Sequence, residues 1–112
     1  MTILSTPHDT APAIFAAMGN PKRMQIVTWM HDPTTHFPAQ RDGDLVEDGI
    51  CVGAIVKKLE VSQPTVTTHM KILADAGLVT SKKIKQWTFY KLNVETLYQA
   101  EAELKRLSSV LG

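Results

Sequence analysis

The stretch that decides the fold is residues 62–77, SQPTVTTHMKILADAG. Ser62 can cap the first turn of a helix through its hydroxyl, and Pro64 suits a position whose N–H has no partner within the helix. Gly77 can end the helix because it adopts positive φ without strain. The stretch therefore predicts one short amphipathic helix. At 100° per residue, its apolar side is formed by Val66, Met70, Leu73 and Gly77.

The other side of this helix is unusual for a solvated surface, because its first two turns carry hydroxyl groups and a lysine in place of a mixture of Glu and Lys. Small hydroxyl side chains suit close approach to base edges, and lysine suits phosphates. We therefore interpret this side as a surface that lies in the DNA major groove. The side chains that point this way are Pro64, Thr65, Thr67, Thr68, Lys71 and Asp75.

A further helix is predicted immediately before this one. From Ile50 onward the apolar residues recur with helical spacing, and lysines fall on the opposite side. Only Glu60 and Val61 separate this helix from Ser62. Two helices joined by so tight a turn, the second with a polar face, predict a helix-turn-helix.

Two β-prone segments follow, residues 78–80 and 87–92, separated by a segment rich in lysine. They predict a hairpin with a basic tip, and such a ribbon beside a DNA-reading helix is the wing of a winged helix. The predicted fold is therefore mainly α with a small β-hairpin: a winged helix-turn-helix with about five helices and a two-stranded wing. The wing residues predicted to reach phosphates are Lys82, Lys83 and Lys85.

The N-terminal half is predicted to contain two helices and a long connection. Residues 1–9 lack periodicity and form a loose arm, residues 10–18 form a short helix, and Pro21 begins a helix that stops before Pro33. Residues 32–49 contain five acidic side chains and exceed the usual helix connection of about 2–8 residues. For this acidic loop two roles stay open: it shields or docks against the basic DNA-reading surface, or it forms part of a small-molecule pocket.

The C-terminal segment, residues 93–112, is predicted to be a dimerisation helix. Its apolar residues form a broad stripe, and a terminal helix this apolar in a small domain usually packs against a partner helix. We therefore predict a homodimer formed through this helix and the first one. The predicted interface residues are Ile14, Phe15, Met18, Leu97, Tyr98, Leu104, Leu107 and Leu111.

Size and composition limit the classes of protein. With 112 residues, of which 44% are hydrophobic and 21% charged, residues 1–112 are expected to form one globular domain. No apolar run approaches the roughly 20 residues of a membrane span, and no export signal is visible, so a cytoplasmic protein is expected. The block 32–48 has a net charge of −4, whereas 57–91 has +5 because seven lysines oppose two acids. A basic block of this kind indicates a polyanion partner.

Three segments resemble the ArsR-type (arsenic-repressor-like) winged-helix regulators. They are residues 59–79, which contain LEVSQPTVTTHMKIL and AGLV, residues 87–92, WTFYKL, and residues 19–26, GNPKRMQI. The resemblance covers roughly residues 13–110 and has the motifs in the family's order and spacing. It implies a dimeric repressor that binds a short inverted repeat in double-stranded DNA and leaves it when an effector binds.

Matching the family's DNA contacts by position implies that the outward side chains of the helix read bases, while Lys71 and the wing lysines contact phosphates. Gln63 is the best base reader, since a bidentate amide–adenine pair contributes about 1–3 kcal/mol of discrimination. His69 falls at the edge of the apolar side, and we interpret it as packed or phosphate-touching, not as a ligand. The predicted DNA-binding set is Ser62, Gln63, Pro64, Thr65, Thr67, Thr68, Lys71, Lys82, Lys83 and Lys85.

The chain departs from the family pattern in two turns and in its metal sites. Glycine is frequent in the family at the helix–helix turn and the wing tip, where this chain has Glu60 and either Lys85 or Gln86. A residue with a side chain costs about 1–2 kcal/mol at positive φ, so the sequence leaves open whether these turns keep the family's conformation.

The metal sites known in the family are missing from the sequence, so no cofactor is predicted. The family's cysteine pair is reduced to Cys51, with Gly53 in place of the second thiol, and residues 94–110 contain neither Asp nor His. His31, His36 and Cys51 remain weak metal candidates, for which a solvated loop and a packed cysteine are the commoner explanations. The identity of the effector stays open: a metal ion, a redox signal, a small molecule or no effector at all.

The competing function classes are an enzyme and a protein-binding module. No nucleophile triad, glycine-rich phosphate loop or paired carboxylates in a cleft can be identified, so catalysis is not expected. The alternative to a DNA-binding regulator is a winged-helix protein-interaction module without sequence-specific DNA binding. Such a module would not need hydroxyl groups and a glutamine aligned on one exposed helix face.

Overall fold

Helices dominate the computed structural model, which describes the backbone of residues 7–109 and the side chains of residues 10–109. This part of the chain contains six helices and three strands. In chain order they are α1 (Pro7–Met18), α2 (Pro21–His31), α3 (Pro33–His36), β1 (Ile50–Cys51), α4 (Val52–Leu59), α5 (Gln63–Asp75), β2 (Val79–Ile84), β3 (Trp87–Leu92) and α6 (Val94–Ser108). The predicted winged helix-turn-helix is confirmed, with α4 and α5 as its two helices and β2–β3 as the wing.

Both ends of α5 form as the sequence predicts. Ser62 Oγ accepts a hydrogen bond from the N–H of Thr65 at 3.3 Å, which satisfies one of the free donors of the first turn. At the other end Gly77 has φ of +80°, and the N–H of Leu78 donates to the carbonyl of Leu73 at 2.9 Å. This pattern is a Schellman motif, which ends a helix by satisfying its last carbonyls.

The sheet has one strand more than the predicted two-stranded wing. Its order is β1-β3-β2, all antiparallel, and Ile50 lies opposite Tyr90. Helical periodicity predicted that α4 begins at Ile50, but Ile50 and Cys51 pair with β3 before the helix starts. Gly49 makes this approach feasible: its φ is +103°, and a Cβ there would lie only 2.3 Å from the carbonyl oxygen of Tyr90.

Two other boundaries differ from the prediction. Helix α1 begins at Pro7, so residues 7–9 of the predicted arm are helical, and residues 1–6 lie outside the described part of the chain. Proline is well tolerated in a first turn because its missing N–H needs no partner there. The acidic loop, residues 32–49, contains the single helical turn α3, which begins at Pro33.

The core fixes which side of α5 faces outward. Val66, Met70 and Leu73 are fully buried, as the periodicity predicts, and they pack in one cluster with residues of α2 and α4 such as Ile26 and Ile55. Because these anchors lie on one side of the helix, the residues between them project into solvent. The helix is therefore held with its polar side exposed.

The prediction that Ile14 belongs to the dimer interface is wrong, because this residue lies in the core of its own chain. Ile14 of α1 is 1% exposed and belongs to the core cluster of its own chain, so its side chain cannot contact a second chain. Periodicity identifies Ile14 as apolar but does not distinguish packing within a chain from packing between chains.

Candidate nucleic-acid interface

The outward side of α5 presents a row of exposed polar side chains. The exposed members of the predicted set on this helix and at its start are Ser62, Gln63, Pro64, Thr65, Thr67, Thr68 and Lys71. Ser62 and Thr65 share a hydrogen bond of 2.9 Å between their hydroxyl oxygens, and Thr68 donates to the carbonyl of Pro64 at 3.0 Å. These hydroxyls keep lone pairs that can accept a further hydrogen bond.

Two side chains on this row have unused hydrogen-bonding capacity. Gln63 and Thr67 make no side-chain hydrogen bond with any residue of the described range 7–109. An amide and a hydroxyl that are exposed and unpaired can bond to a base edge without first breaking an internal contact. The structure thus leaves the strongest predicted base reader, Gln63, available.

Lys71 lies further along the helix and pairs with Asp75. The distance between Lys71 Nζ and Asp75 Oδ2 is 3.0 Å, and both side chains are largely exposed. An exposed pair four residues apart on a helix contributes little, because water screens it. Lys71 can therefore exchange this partner for a phosphate.

The wing carries its lysines on both faces of the hairpin. Lys82 lies opposite Phe89 and Lys83 opposite Thr88, and successive side chains of a strand point to opposite faces. The tip is formed by Lys85 and Gln86, and Lys85 has φ of +57°. Lys82, Lys83 and Lys85 are all exposed, which is consistent with the predicted phosphate contacts.

The two turns that lack glycine adopt the conformation that favours glycine. Glu60, between α4 and α5, has φ of +59°, and Lys85 has φ of +57°. Both residues lie in the left-handed region, where a side chain costs about 1–2 kcal/mol. The question that the sequence left open is settled: the helix–helix turn and the wing tip keep the glycine-type backbone without glycine.

The acidic loop contacts the wing, which agrees with one of the two roles that the sequence left open, docking against the basic surface. Lys85 Nζ lies 2.8 Å from Asp42 Oδ1, and Lys82 forms an ion pair with Asp48. These partners are 43 and 34 residues apart in the chain. Hydrogen bonding to Lys82 and to the N–H of Asp44 lowers the pKa of Asp48, and hydrogen bonding to Asp42 raises the pKa of Lys85. Both shifts of pKa favour the charged forms of Asp48 and Lys85.

His69 on α5 is half-buried and contacts Arg23 of α2. The helical pattern had predicted that Arg23 lies on the exposed side of α2. An Arg23 guanidinium nitrogen lies 3.2 Å from His69 Nδ1. Desolvation, followed by the nearby charges of Arg23 and Lys22, lowers the pKa of His69. The interpretation of His69 as a packed histidine agrees with this contact.

The three weak metal candidates are not brought together. His31 ends α2, His36 ends α3 and Cys51 ends β1, and each lines a different surface cavity. Among the residues that the structure describes, no three His, Cys, Asp or Glu side chains form a group that could hold a metal ion.

The predicted dimer surface lies on α1 and α6. Leu97 and Leu104 line an apolar groove of about 530 Å³ together with Phe15, Met18 and also Met24 of α2. Tyr98, Leu104 and Leu107 are 59%, 56% and 63% exposed, whereas the side of α6 that faces its own chain carries Thr96, Ala100 and Glu103. Leu111 lies outside the described residues.

Comparison with known proteins identifies the family. The family model described as "Bacterial regulatory protein, arsR family" matches residues 45–81, from the end of the acidic loop through α4 and α5 into β2. The uncharacterized HTH-type transcriptional regulator YbzH of Bacillus subtilis is 34% identical over 84 residues, which cover 75% of this chain and 84% of YbzH. This chain belongs to the ArsR family. The ArsR-family protein is a DNA-binding transcriptional regulator and not an enzyme.

Solved structures show the same fold for this ArsR-family protein. HlyU from Vibrio cholerae has 27% sequence identity and a TM-score of 0.62, covering 94% of this chain and 98% of HlyU. An ArsR-like transcriptional regulator from Rhodococcus sp. RHA1 has 21% identity and a TM-score of 0.65, covering 89% of this chain and 80% of its own. Within the described residues of the ArsR-family protein, no helix is long and apolar enough to cross a membrane.

Proposed function

We propose that this ArsR-family protein is a cytoplasmic homodimeric repressor that reads a short inverted repeat with α5 and is released from it by an effector. One observation carries the DNA-reading part: Gln63 and Thr67 are exposed and make no internal hydrogen bond within the described residues, while Val66 and Met70 anchor the opposite side of the helix. A rigid helix with unpaired polar groups is suited to base recognition in a major groove.

The wing supports the same geometry through phosphate contacts. Phosphate contacts position a protein on the duplex and give no sequence information, whereas contacts to base edges give specificity. The exposed lysines of the wing, Lys82, Lys83 and Lys85, supply the first kind of contact, and Gln63 supplies the second.

The apolar side of α6 supports the dimer. Leu104 and Leu107 are more than half exposed, while α6 turns its polar residues Thr96 and Glu103 toward its own chain. A two-fold axis beside α1 and α6 would bury these leucines and repeat α5 in the partner. Two recognition helices related by such an axis read an inverted repeat whose half-sites lie about one helical turn, 34–36 Å, apart.

The decisive experiment is a salt titration of DNA binding. The full-length protein is titrated with duplex DNA from upstream of its own coding sequence and with a random duplex of equal length, at several ionic strengths. We expect tighter binding to the upstream DNA at every salt concentration, with the affinity for both duplexes falling as salt rises. Equal affinity for the two duplexes at all salt concentrations would reject sequence-specific repression and favour the protein-interaction alternative.

The effector step is tested separately. If release depends on a ligand, a reporter controlled by the upstream DNA is repressed in cells and is induced by one class of added compound. Constitutive repression under metal, oxidant and small-molecule challenge would argue against effector release while leaving DNA recognition intact.

A further inference from the structure

We propose that the acidic loop, residues 32–49, competes with DNA inside the molecule: the carboxylates of Asp42 and Asp48 occupy the wing lysines that phosphates would otherwise contact. The inference rests on the proposed function, because it concerns the regulation of the same DNA-binding surface. It predicts that the wild-type protein binds DNA of any sequence more weakly than a variant in which Lys82 or Lys85 is not paired with a carboxylate.

The loop is held in place by contacts that do not involve the wing lysines. Gln40 accepts a hydrogen bond from the N–H of Cys51 at 2.8 Å and donates to the carbonyl of Gly49 at 3.0 Å. Asp44 Oδ2 accepts hydrogen bonds from two N–H groups of the following turn, each at 2.9 Å. At Gly43, a Cβ would lie 2.8 Å from the ring of Phe89, so the loop backbone lies directly against β3. The carboxylates are therefore presented by an ordered loop.

In both ion pairs the carboxylate is less exposed to solvent than the lysine. The side chains of Asp42 and Asp48 are 22% and 24% exposed, while those of Lys85 and Lys82 are 71% and 49% exposed. The carboxylates are thus fixed beneath the lysines, and the ammonium groups extend toward solvent. Lys83, on the other face of the hairpin, has no ion pair within the described residues.

This arrangement affects both the affinity and its salt dependence. A lysine that neutralises a phosphate releases a counterion, so each such contact adds about 0.9 to the slope of log affinity against log salt. A lysine that leaves a carboxylate exposes a negative charge beside the duplex, and that charge retains or recruits a cation. Net counterion release is therefore reduced by about one ion for each lysine that the loop occupies.

The test uses Asp42→Asn and Asp48→Asn in the full-length protein, with Glu47→Gln as the matched control. Asparagine keeps an oxygen acceptor for the N–H of Asp44, which Asp48 accepts at 2.7 Å. Glu47 lies in the same loop and its substitution changes the net charge equally, but its side chain contacts no wing lysine; only its backbone carbonyl contacts Lys91. We expect each Asn variant to bind upstream and random DNA about two- to fivefold more tightly, with a slope steeper by about 1. Glu47→Gln is expected to change both much less, because the exposed Glu47 carboxylate forms no ion pair with a wing lysine among the described residues and is screened by water and salt.

A double-mutant cycle assigns the effect to the ion pair. Removing both partners in the Lys82→Ala/Asp48→Asn double variant should leave binding close to that of the wild type, because the ion pair contributes no free positive charge, whereas Lys83→Ala should weaken binding. In the Asp48→Asn background, Lys82→Ala should weaken binding as much as Lys83→Ala does. Asp42→Asn and Asp48→Asn remove carboxylates from two separate ion pairs, so either variant tests the proposal if the other fails to fold.

Failure of this proposal is distinguishable from failure of the proposed function. If the wild type prefers upstream DNA but the Asn variants bind no tighter than Glu47→Gln, or bind more weakly, the loop positions the lysines and competition is rejected. If the wild type shows no sequence preference but the Asn variants bind every duplex more tightly, the loop competes with DNA while sequence-specific repression is rejected.

Discussion

The guanidinium of Arg23 on α2 donates a hydrogen bond to Nδ1 of His69 on α5, across 3.2 Å. Since a guanidinium can only donate, Nδ1 is the acceptor and the imidazole is neutral with its proton on Nε2. Arg23 Nε also donates to the carbonyl of Ala17 at the end of α1, at 2.6 Å. One arginine thus connects α5 to both N-terminal helices.

This contact predicts a pH dependence of stability. The pKa of His69 is lowered, by desolvation and by Arg23 and Lys22, below the 6.5 of a free histidine. The unfolded chain therefore binds a proton at higher pH than the folded chain. The contribution of neutral His69 to the free energy of unfolding is complete above pH 6.5. It is lost progressively as the pH falls through the pKa of His69 in the folded protein. We expect urea unfolding to show declining stability from pH 7.5 to pH 5, and His69→Gln to reduce that slope.

The control for this experiment is His31→Gln, which removes an exposed imidazole at the end of α2. This variant leaves the Arg23–His69 contact intact, so the part of the slope that depends on this contact should remain. An unchanged slope in His69→Gln would show that the Arg23–His69 contact does not couple folding to protonation.

A pair of variants separates base reading from phosphate contact. Gln63→Ala should reduce the preference for upstream over random DNA by about 1–3 kcal/mol and leave the salt slope unchanged. Lys83→Ala should weaken binding to both duplexes equally and reduce the salt slope by about 1. Fluorescence anisotropy with both duplexes measures these quantities. The assignment fails if both variants lose affinity and preference in the same proportion.

The strained turn at Glu60 predicts a stabilising substitution. Glu60 has φ of +59°, which costs about 1–2 kcal/mol for a residue with a side chain, whereas glycine there costs about 0.5–1 kcal/mol in unfolded-chain entropy. Glu60→Gly should therefore raise the free energy of unfolding by about 0.5–1 kcal/mol. Lys57→Gly, an exposed position within α4, should instead lower it by about 1 kcal/mol. Urea denaturation of both variants would disprove the strain if Glu60→Gly proved no more stable than the wild type.

The dimer predicts that a charge on α6 separates the chains. Leu104 is 56% exposed and lines the groove between α1 and α6, so Leu104→Lys would bury an unpaired ammonium in a dimer interface. We expect sedimentation equilibrium to show a monomer, with the affinity for the inverted repeat reduced at least about tenfold. Val46→Lys, at an exposed apolar residue of the acidic loop, should remain dimeric. A dimeric Leu104→Lys protein would place the interface elsewhere.

Arg23, Asp42 and Asp48 mark the limit of what the sequence could predict about the site. Arg23 contacts His69 on α5, and the two aspartates contact the wing lysines Lys85 and Lys82. These partners lie 34 to 46 residues apart in the chain. Helical periodicity predicted that Arg23 is exposed to solvent. For the acidic loop, the sequence did not decide between docking against the basic surface and lining a small-molecule pocket. Local sequence patterns contain no information about which distant residue folding will bring into contact.

The sequence by itself determined α5, its two ends and its exposed polar side, because capping and helical periodicity depend on residues within a few positions of one another. It also determined the wing and the family, since these rest on short motifs in order. Only the tertiary structure decided that Ile50 and Cys51 form a strand, that Ile14 faces inward while Leu104 faces solvent, and that the acidic loop lies against the wing. These features depend on which distant surfaces pack together, and that is set by the burial of the core and by the close approach of Gly43 and Gly49 to β3.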